Sequence, residues 1–245
     1  SSSNSSSSVV FRLELEQDHR EVECMTREAF WNLYSPGADE HALLHRLRKA
    51  PEFIPELAFV AVMQDTGEIV GSIVYSHGSV TADSGADGRD SSVVSKVLTF
   101  GPVCVKPSVQ CSGIGDRLIR HSLLAAATLG HGAVVIQGDP SYYRRFGFES
   151  SHKFLITTAT GSYPKGLQAL ELFSGALKDI QGRFAECSAF EVEEEEVAAF
   201  DATFPPKEKY ETTSQKAFQM IIKLKWNDPD IPDIGKMWKS RDRIV

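Results

Sequence analysis

The sequence predicts an α/β (α+β) fold built around one sheet. Three observations predict it. Residues 101–148 read as strand, polar loop, amphipathic helix, strand and short helix in succession. Upstream, two apolar strand runs flank Asp65-Thr66-Gly67, a strong hairpin turn. Before that hairpin lie two segments whose apolar residues recur at helical spacing.

Each element has its own signal. Phe11, Leu13 and Leu15 alternate with Arg12, Glu14 and Glu16, which is the period of a half-buried strand. Asp18 is placed to cap the next helix, with Glu21 at the capping-box position. Val22, Met25 and Ala29 share one face of that helix, and Phe30-Trp31 closes it on the core. After Ser35-Pro36-Gly37, residues 39–49 form a second helix with Leu43, Leu44 and Leu47 inward. Residues 57–63 and 68–76 are the hairpin strands. Residues 78–90 are rich in Gly, Ser and Asp and read as a mobile loop. The β-branched run 93–105 is a long strand ending at Lys106-Pro107. The helix from Gly113 carries Ile114, Leu118, Ala125 and Leu129 in one stripe, Ile119 and Leu123 on other faces, and Gly130 as its C-cap. Residues 133–136 form another strand. Asp139-Pro140 starts a short helix with an N-cap and a proline at its first position. Residues 154–158 and 167–173 are further strands. Residues 216–225 fit a helix or a strand.

Composition limits the function classes. The 245 residues are 42% hydrophobic and 24% charged, enough for a real core in one large domain or two small ones. The formal net charge of -7 argues against a nucleic-acid partner, which is bound mainly through basic phosphate contacts. The 4 cysteines show no CxxC spacing and suggest a cytoplasmic protein with reduced thiols. No apolar run approaches the roughly 20 residues that span a bilayer, so no membrane partner is expected. Residues 1–8, SSSNSSSS, read as a disordered leader or tag remnant without function. His41 and His45 lie one helical turn apart but lack a third ligand, so no metal is expected.

The chemistry concentrates at Gln110-Cys111-Ser112-Gly113-Ile114-Gly115. A helix opening there presents backbone N–H groups that no helical carbonyl satisfies, together with partial positive charge, and so suits a phosphate. The paired glycines permit turn dihedrals and close backbone approach. No Lys-Ser/Thr follows as in a Walker loop, and position 118 is Leu where a dinucleotide fingerprint needs its third Gly. Taken alone, the two glycines also fit a plain strand-to-helix turn.

Their surroundings are more specific. Val105-Lys106-Pro107 followed by Gln110, Gly113 and Gly115 resembles motif A of the GNAT acetyltransferase superfamily. Tyr143, four residues before Gly147-Phe148, resembles motif B of the same family. GPVCVKP, QCSGIG, GDPSYYRRFGF and ALELFSGAL together look like one branch of predicted N-acetyltransferases. The resemblance covers residues 10–182. It implies a GNAT domain at 9–182 and a C-terminal extension at 183–245 packed on it. It also implies a mixed, mostly antiparallel sheet, a splayed V between its central strands and helices on both faces. The implied co-substrate is acetyl-CoA. Its pantetheine would pair with backbone groups of Val103, Cys104 and Val105. Its pyrophosphate would sit on N–H groups of Cys111, Ser112, Gly113, Ile114, Gly115 and Asp116, in a loop braced by Gln110. Tyr143 would be the general acid to the departing thiolate. The implied reaction is direct transfer of an acetyl group to an amine.

Other readings carry over as expectations. A catalytically inactive CoA-binding or protein-interaction module is the main alternative, and transfer of a longer acyl group is another. The acceptor stays open between a small amine and a protein amine. Residues 78–90 and the segment around Tyr163 are expected to help select it. No general base is assigned; Tyr75, His77 and Glu28 are placed near the site. Asp116 repels a pyrophosphate unless it points outward; Arg117 and Arg120 offset it or meet the CoA 3′-phosphate, or, the favoured reading, form a solvated face. The extension completes the fold or forms a homodimer interface.

Overall fold

In a computed structural model, the structure of the protein is described for residues 8–82 and 93–229. Residues 1–7, most of the expected loop 78–90 and the tail with Met237-Trp238 lie outside the described residues.

Nine strands form one sheet. They are β1 (Val9–Leu13), β2 (Phe59–Met63), β3 (Ile69–Thr81), β4 (Val93–Val105), β5 (Ala133–Gln137), β6 (Glu149–Ser150), β7 (Ile156–Thr157), β8 (Leu167–Glu171) and β9 (Gly182–Ala185). The spatial order is β1-β2-β3-β4-β5-β8-β6, and β9 joins β3 to β7. Pairing is antiparallel except at β4–β5 and β7–β9. Residues 78–81, expected in a loop, continue β3 instead. Gly78 is needed there because a Cβ would meet the Phe184 ring of β9 at 2.8 Å. Strand β9 also crosses position 182, where the extension was expected to begin.

The helices α1 (His19–Phe30), α2 (Glu40–Leu47), α3 (Ile114–Thr128), α4 (Pro140–Tyr143), α5 (Glu194–Asp201) and α6 (Thr213–Ile221) complete the described fold. Alternation along β3 and β4 sends side chains to opposite faces. Ile73, Tyr75 and Val103 pack under α3 with Leu118, Ile119 and Leu123. Val74 and Cys104 pack under α1 and α2 with Val22, Met25, Leu44 and Leu47.

Several local expectations are corrected. Leu118, Ile119, Ser122, Leu123 and Ala126 make the buried face of α3, whereas Leu129 is 53% exposed. The helix thus has a broad buried stripe and an open back. Leu13 and Leu15 are exposed at the sheet edge. Asp18 does not cap α1, because Arg12 takes its carboxylate at 2.5 Å and the Leu15 N–H donates to it. Glu21 accepts from the Ile69 N–H instead. The strands expected at 154–158 and 167–173 contract to β7 and β8, and 216–225 resolves into the end of α6 and a turn.

A buried ion network locks α2 to α1 and the start of the chain. Arg48 reaches Glu14 at 2.6 Å and Glu23 at 2.9 Å, with all three side chains at most 5% exposed. The chain past β9 is clasped onto α1 and α2. Asp201 lies 2.6 Å from Arg27 and 3.0 Å from the buried His41. His41 is set between Phe200 and Phe204. Trp31 donates to the Glu208 carbonyl, and Tyr34 packs on Phe218 at 4.3 Å.

Candidate active site

The central strands part where the expected pantetheine residues lie. β4 pairs with β5 only at Leu98↔Val134. Between Ile73↔Val103 and Tyr75↔Phe100, β4 carries one more residue than β3, a bulge at Gly101-Pro102. Such an insertion bends a strand and increases its twist. Beyond it, Val103, Cys104 and Val105 pair with β3 on one side and with no strand on the other among the described residues. This is the splayed V.

The loop after β4 is shaped by its own hydrogen bonds. Val109 N–H donates to Lys106 O, and Ser112 Oγ donates to Val109 O at 2.6 Å. Gln110 Nε2 donates to Val105 O at 3.0 Å, tying the loop to the strand end. Cys111 and Gly113 are both left-handed, with φ of 61° and 80°. Gly113 is the N-cap of α3. A Cβ on Gly113 would meet nothing within 4 Å, so its dihedral and the open approach to the helix end require the glycine. Asp116 is engaged by Arg120 at 2.9 Å, which offsets its charge next to the helix terminus. Arg120 therefore does more than line a solvated face.

A cleft of ≈ 570 Å³ runs from this terminus along the open side of β4. Val103, Cys111, Gly113, Asp116 and Tyr143 line it. Cys104 faces the opposite side, hydrogen-bonded to Thr26 and Ser72 at 3.6 Å; burial pushes its thiol pKa up, and such a thiol is unreactive. Ile114 is buried against Val70 and Val105. The side chains of Val105, Gln110, Ser112, Ile114 and Gly115 do not line the cleft, so any contact from these positions is through the backbone or by support.

Tyr143 stands at the end of α4, which starts as expected. Asp139 caps it by accepting from Ser141 N–H at 2.8 Å, with Pro140 at the first position. Phe100, Tyr142, Phe146 and Phe148 surround the Tyr143 ring. Its hydroxyl makes no hydrogen bond among the described residues. Burial, with smaller contributions from Tyr142 and Tyr75, holds it protonated well above the usual tyrosine range. Burial also pushes Tyr142 up to about 12, against the pull of Arg145, whose guanidinium lies 4.4 Å from its ring. Gly138 makes room for Tyr143: a Cβ there would lie 2.3 Å from Cε2 of the ring.

The cleft continues past Tyr143 to residues with no motif. Phe30, Tyr34, Glu40, Leu43, Glu186 and Phe190 form that end. Burial raises the carboxyls of Glu40 and Glu186, and Asp39 adds to the shift of Glu40. None of the three residues placed near the site as bases reaches it. Tyr75 is in the core, bonded to Ser122 at 2.9 Å. His77 faces His131, and Glu28 pairs with Lys207. Tyr163 is also remote from the cleft and packs on His152. The Tyr34 ring had no sequence signal, nor did Glu40, which reads as the first residue of a surface helix.

Comparison with known proteins follows the same lines. A family model described as an acetyltransferase (GNAT) domain matches residues 56–150, from before β2 to β6. The uncharacterized N-acetyltransferase YhbS of Escherichia coli K12 is 27% identical over 175 residues, covering 71% of this chain and 93% of that one. A crystal structure of E. coli YhbS in complex with CoA aligns with a TM-score of 0.60 at 24% identity over 75% of this chain and 92% of its own. A GNAT family acetyltransferase from Brucella melitensis in complex with acetyl-CoA aligns with a TM-score of 0.56 at 28% identity over 75% and 99%. Among the described residues, no helix is long and apolar enough to cross a membrane. The fold, the order of its motifs and these relatives agree on a match to a GNAT acetyltransferase domain over residues 56–150, and they support an acyltransferase.

Proposed function

We propose that the protein transfers an acetyl group from acetyl-CoA directly to an amine. The observation that carries this reading is the single cleft joining the α3 N-terminus, the open edge of β4 and Tyr143. A pyrophosphate placed on backbone N–H groups from Cys111 to Asp116 meets partial positive charge. A pantetheine arm laid along Val103, Cys104 and Val105 fills the edge β5 leaves open, as an added strand would. A neighbour solved with acetyl-CoA supports acetyl-CoA as the co-substrate.

Attack by a neutral amine forms the C–N bond and breaks the C–S bond, with no acyl-enzyme. The thiolate leaving group takes a proton from the Tyr143 O–H. A hydroxyl with a raised pKa stays protonated, so it is available to donate a hydrogen bond and then its proton as negative charge develops on the departing sulfur. Residues 9–182 carry the motifs of this site. Residues 183–229 are an extension that packs on them and finishes the cleft with Glu186 and Phe190.

Tyr143→Phe tests the assignment. The ring and its packing remain while the proton donor is lost. Turnover should fall about 10²- to 10⁴-fold, the usual contribution of a general acid. Acetyl-CoA affinity should be unchanged. Unchanged turnover at saturating substrates removes the role.

A further inference from the structure

The cleft beyond Tyr143 has a chemistry of its own. Four carboxylates line the whole cleft, and two of them already have work. Asp116 is engaged by Arg120, and Asp139 caps α4. Glu40 accepts from the Asp39 backbone N–H at 3.2 Å and has no ion-pair partner among the described residues. Glu186 has no hydrogen-bond or ion-pair partner among the described residues. Among the described residues, no lysine and only one arginine, Arg145, lines the cleft, and its guanidinium lies over the Tyr142 ring. The same cleft is lined by the aromatic rings of Phe30, Tyr34, Phe100 and Phe190. Tyr34 lies within electrostatic reach of Glu40, Tyr143 and Asp139.

Carboxylates among aromatic rings are costly to keep ionised without a cation. A cation entering such a box gains from both the charges and the ring faces. An anionic acceptor meets only repulsion there. We infer that the acceptor is a primary ammonium carried on an apolar body, aromatic or long-alkyl, with its head held by Glu40, its body by Tyr34 and Phe190, and Glu186 adding negative charge to the same cleft. The chain leaving β9 is therefore part of the acceptor site and not merely a support. The inference rests on the acetyl-CoA reading above.

The proton balance is complete. The ammonium gives one proton to Glu40, and the neutral amine attacks the thioester carbon. The C–S bond breaks, and CoA leaves as thiol with the Tyr143 proton. The second proton of the nitrogen returns to the tyrosinate. Glu40 then releases its proton to water, one per turnover.

The full chain is assayed for CoA thiol release from acetyl-CoA with four probes: phenethylamine, hexylamine, methylamine and glutamate. Phenethylamine and hexylamine should be acetylated, and glutamate should be at least ~10-fold poorer in kcat/KM, where a factor of 10 is about 1.4 kcal/mol. Glu186→Gln should raise the KM for phenethylamine ~10-fold, with kcat little changed. Glu40→Gln should raise KM and lower kcat as well. Phe190→Ala should raise the KM for phenethylamine and leave that for methylamine alone. Calorimetric affinity for acetyl-CoA should match wild type in all three variants, which also shows that they fold. Turnover of glutamate equal to that of phenethylamine overturns the inference. So does an unchanged KM in both glutamate variants, or acetyl-CoA binding with none of the amines acetylated. Failure of the wild type to bind acetyl-CoA overturns the underlying reading instead.

Discussion

Replacing Gly138 with Ala should disable the enzyme through a single methyl group. The added Cβ would sit 2.3 Å from Cε2 and 2.7 Å from Cδ2 of Tyr143. Carbon atoms rest about 3.5–4.0 Å apart, so the ring must move by roughly 1.2 Å or more. It cannot swing freely, because Phe100, Tyr142, Phe146 and Phe148 surround it. Gly138 cannot withdraw easily either: its N–H donates to Gly166 O at 2.9 Å, and its carbonyl accepts from Gln168 at 3.1 Å. The stability loss should be that of overpacking, about 1–3 kcal/mol. The rate loss should be larger in relative terms, since a misplacement of about 1 Å at a reacting centre costs on the order of 10²-fold. The assay pairs urea unfolding with kcat at saturating acetyl-CoA and amine. It is repeated in a Tyr143→Phe background, where the methyl group has no hydroxyl left to misplace and its effect on kcat should largely vanish. A Gly138→Ala enzyme destabilised as expected but with wild-type kcat would refute the positioning argument. A full additive loss in the double variant would refute it equally.

Two further outcomes concern the frame. Arg48→Ala removes the cation between Glu14 and Glu23 and should lower the unfolding free energy by about 3–5 kcal/mol, read by urea denaturation; a loss below about 1 kcal/mol would place that pair among weak surface bridges. The His41 clasp should weaken in acid. Burial lowers the pKa of His41 below its ordinary 6.5, opposed by Asp201 and Asp39 and assisted by Arg27. The unfolded chain then binds the extra proton, so stability is full above about pH 6.5 and falls as the pH drops below it. Asp201 adds a second loss at lower pH. Burial alone would raise its pKa, but the hydrogen bond and charge of Arg27 bring it below its ordinary 3.8, so its contribution is lost as the pH falls under that value. Thermal unfolding from pH 8 to 3 should show both stages, and His41→Phe should shrink the first, which His19, His77 and His131, also lowered by burial, share; a first stage unchanged in His41→Phe contradicts the assignment.

What the sequence revealed of the site is what local backbone chemistry demands. Gly113 needs a left-handed dihedral at the head of a helix, and Gly147, with φ of 92°, ends the turn that follows Tyr143. Both leave a residue type at a fixed spacing. β4 was also legible in full, because its β-branched run is bounded by Lys106-Pro107. The acceptor end was not legible, for a physical reason. Tyr34, Glu40, Glu186 and Phe190 come from segments about 150 residues apart, and their meeting is decided by β9 pairing with β3 and by the clasp of α5 on α2. No periodicity records such a contact. Asp18 failed as a cap for a similar reason: Arg12, on the neighbouring strand, offered a charged partner stronger than the helix N–H groups. His77 and Tyr75 looked close to the site because they lie on the central strand, but the pleat turns Tyr75 into the α3 core.

The central claim is that the terminus of α3 and the open edge of β4 hold coenzyme A. Calorimetric titration of the full chain with acetyl-CoA tests it most directly, with NAD as control and Gly113→Val as the variant. Acetyl-CoA should bind and NAD should not. The variant, strained at φ of 80° and with a branched side chain over the helix terminus, should lose binding while unfolding cooperatively near the wild-type temperature. Equal affinity in Gly113→Val, or no binding of acetyl-CoA to the wild type, would contradict the account.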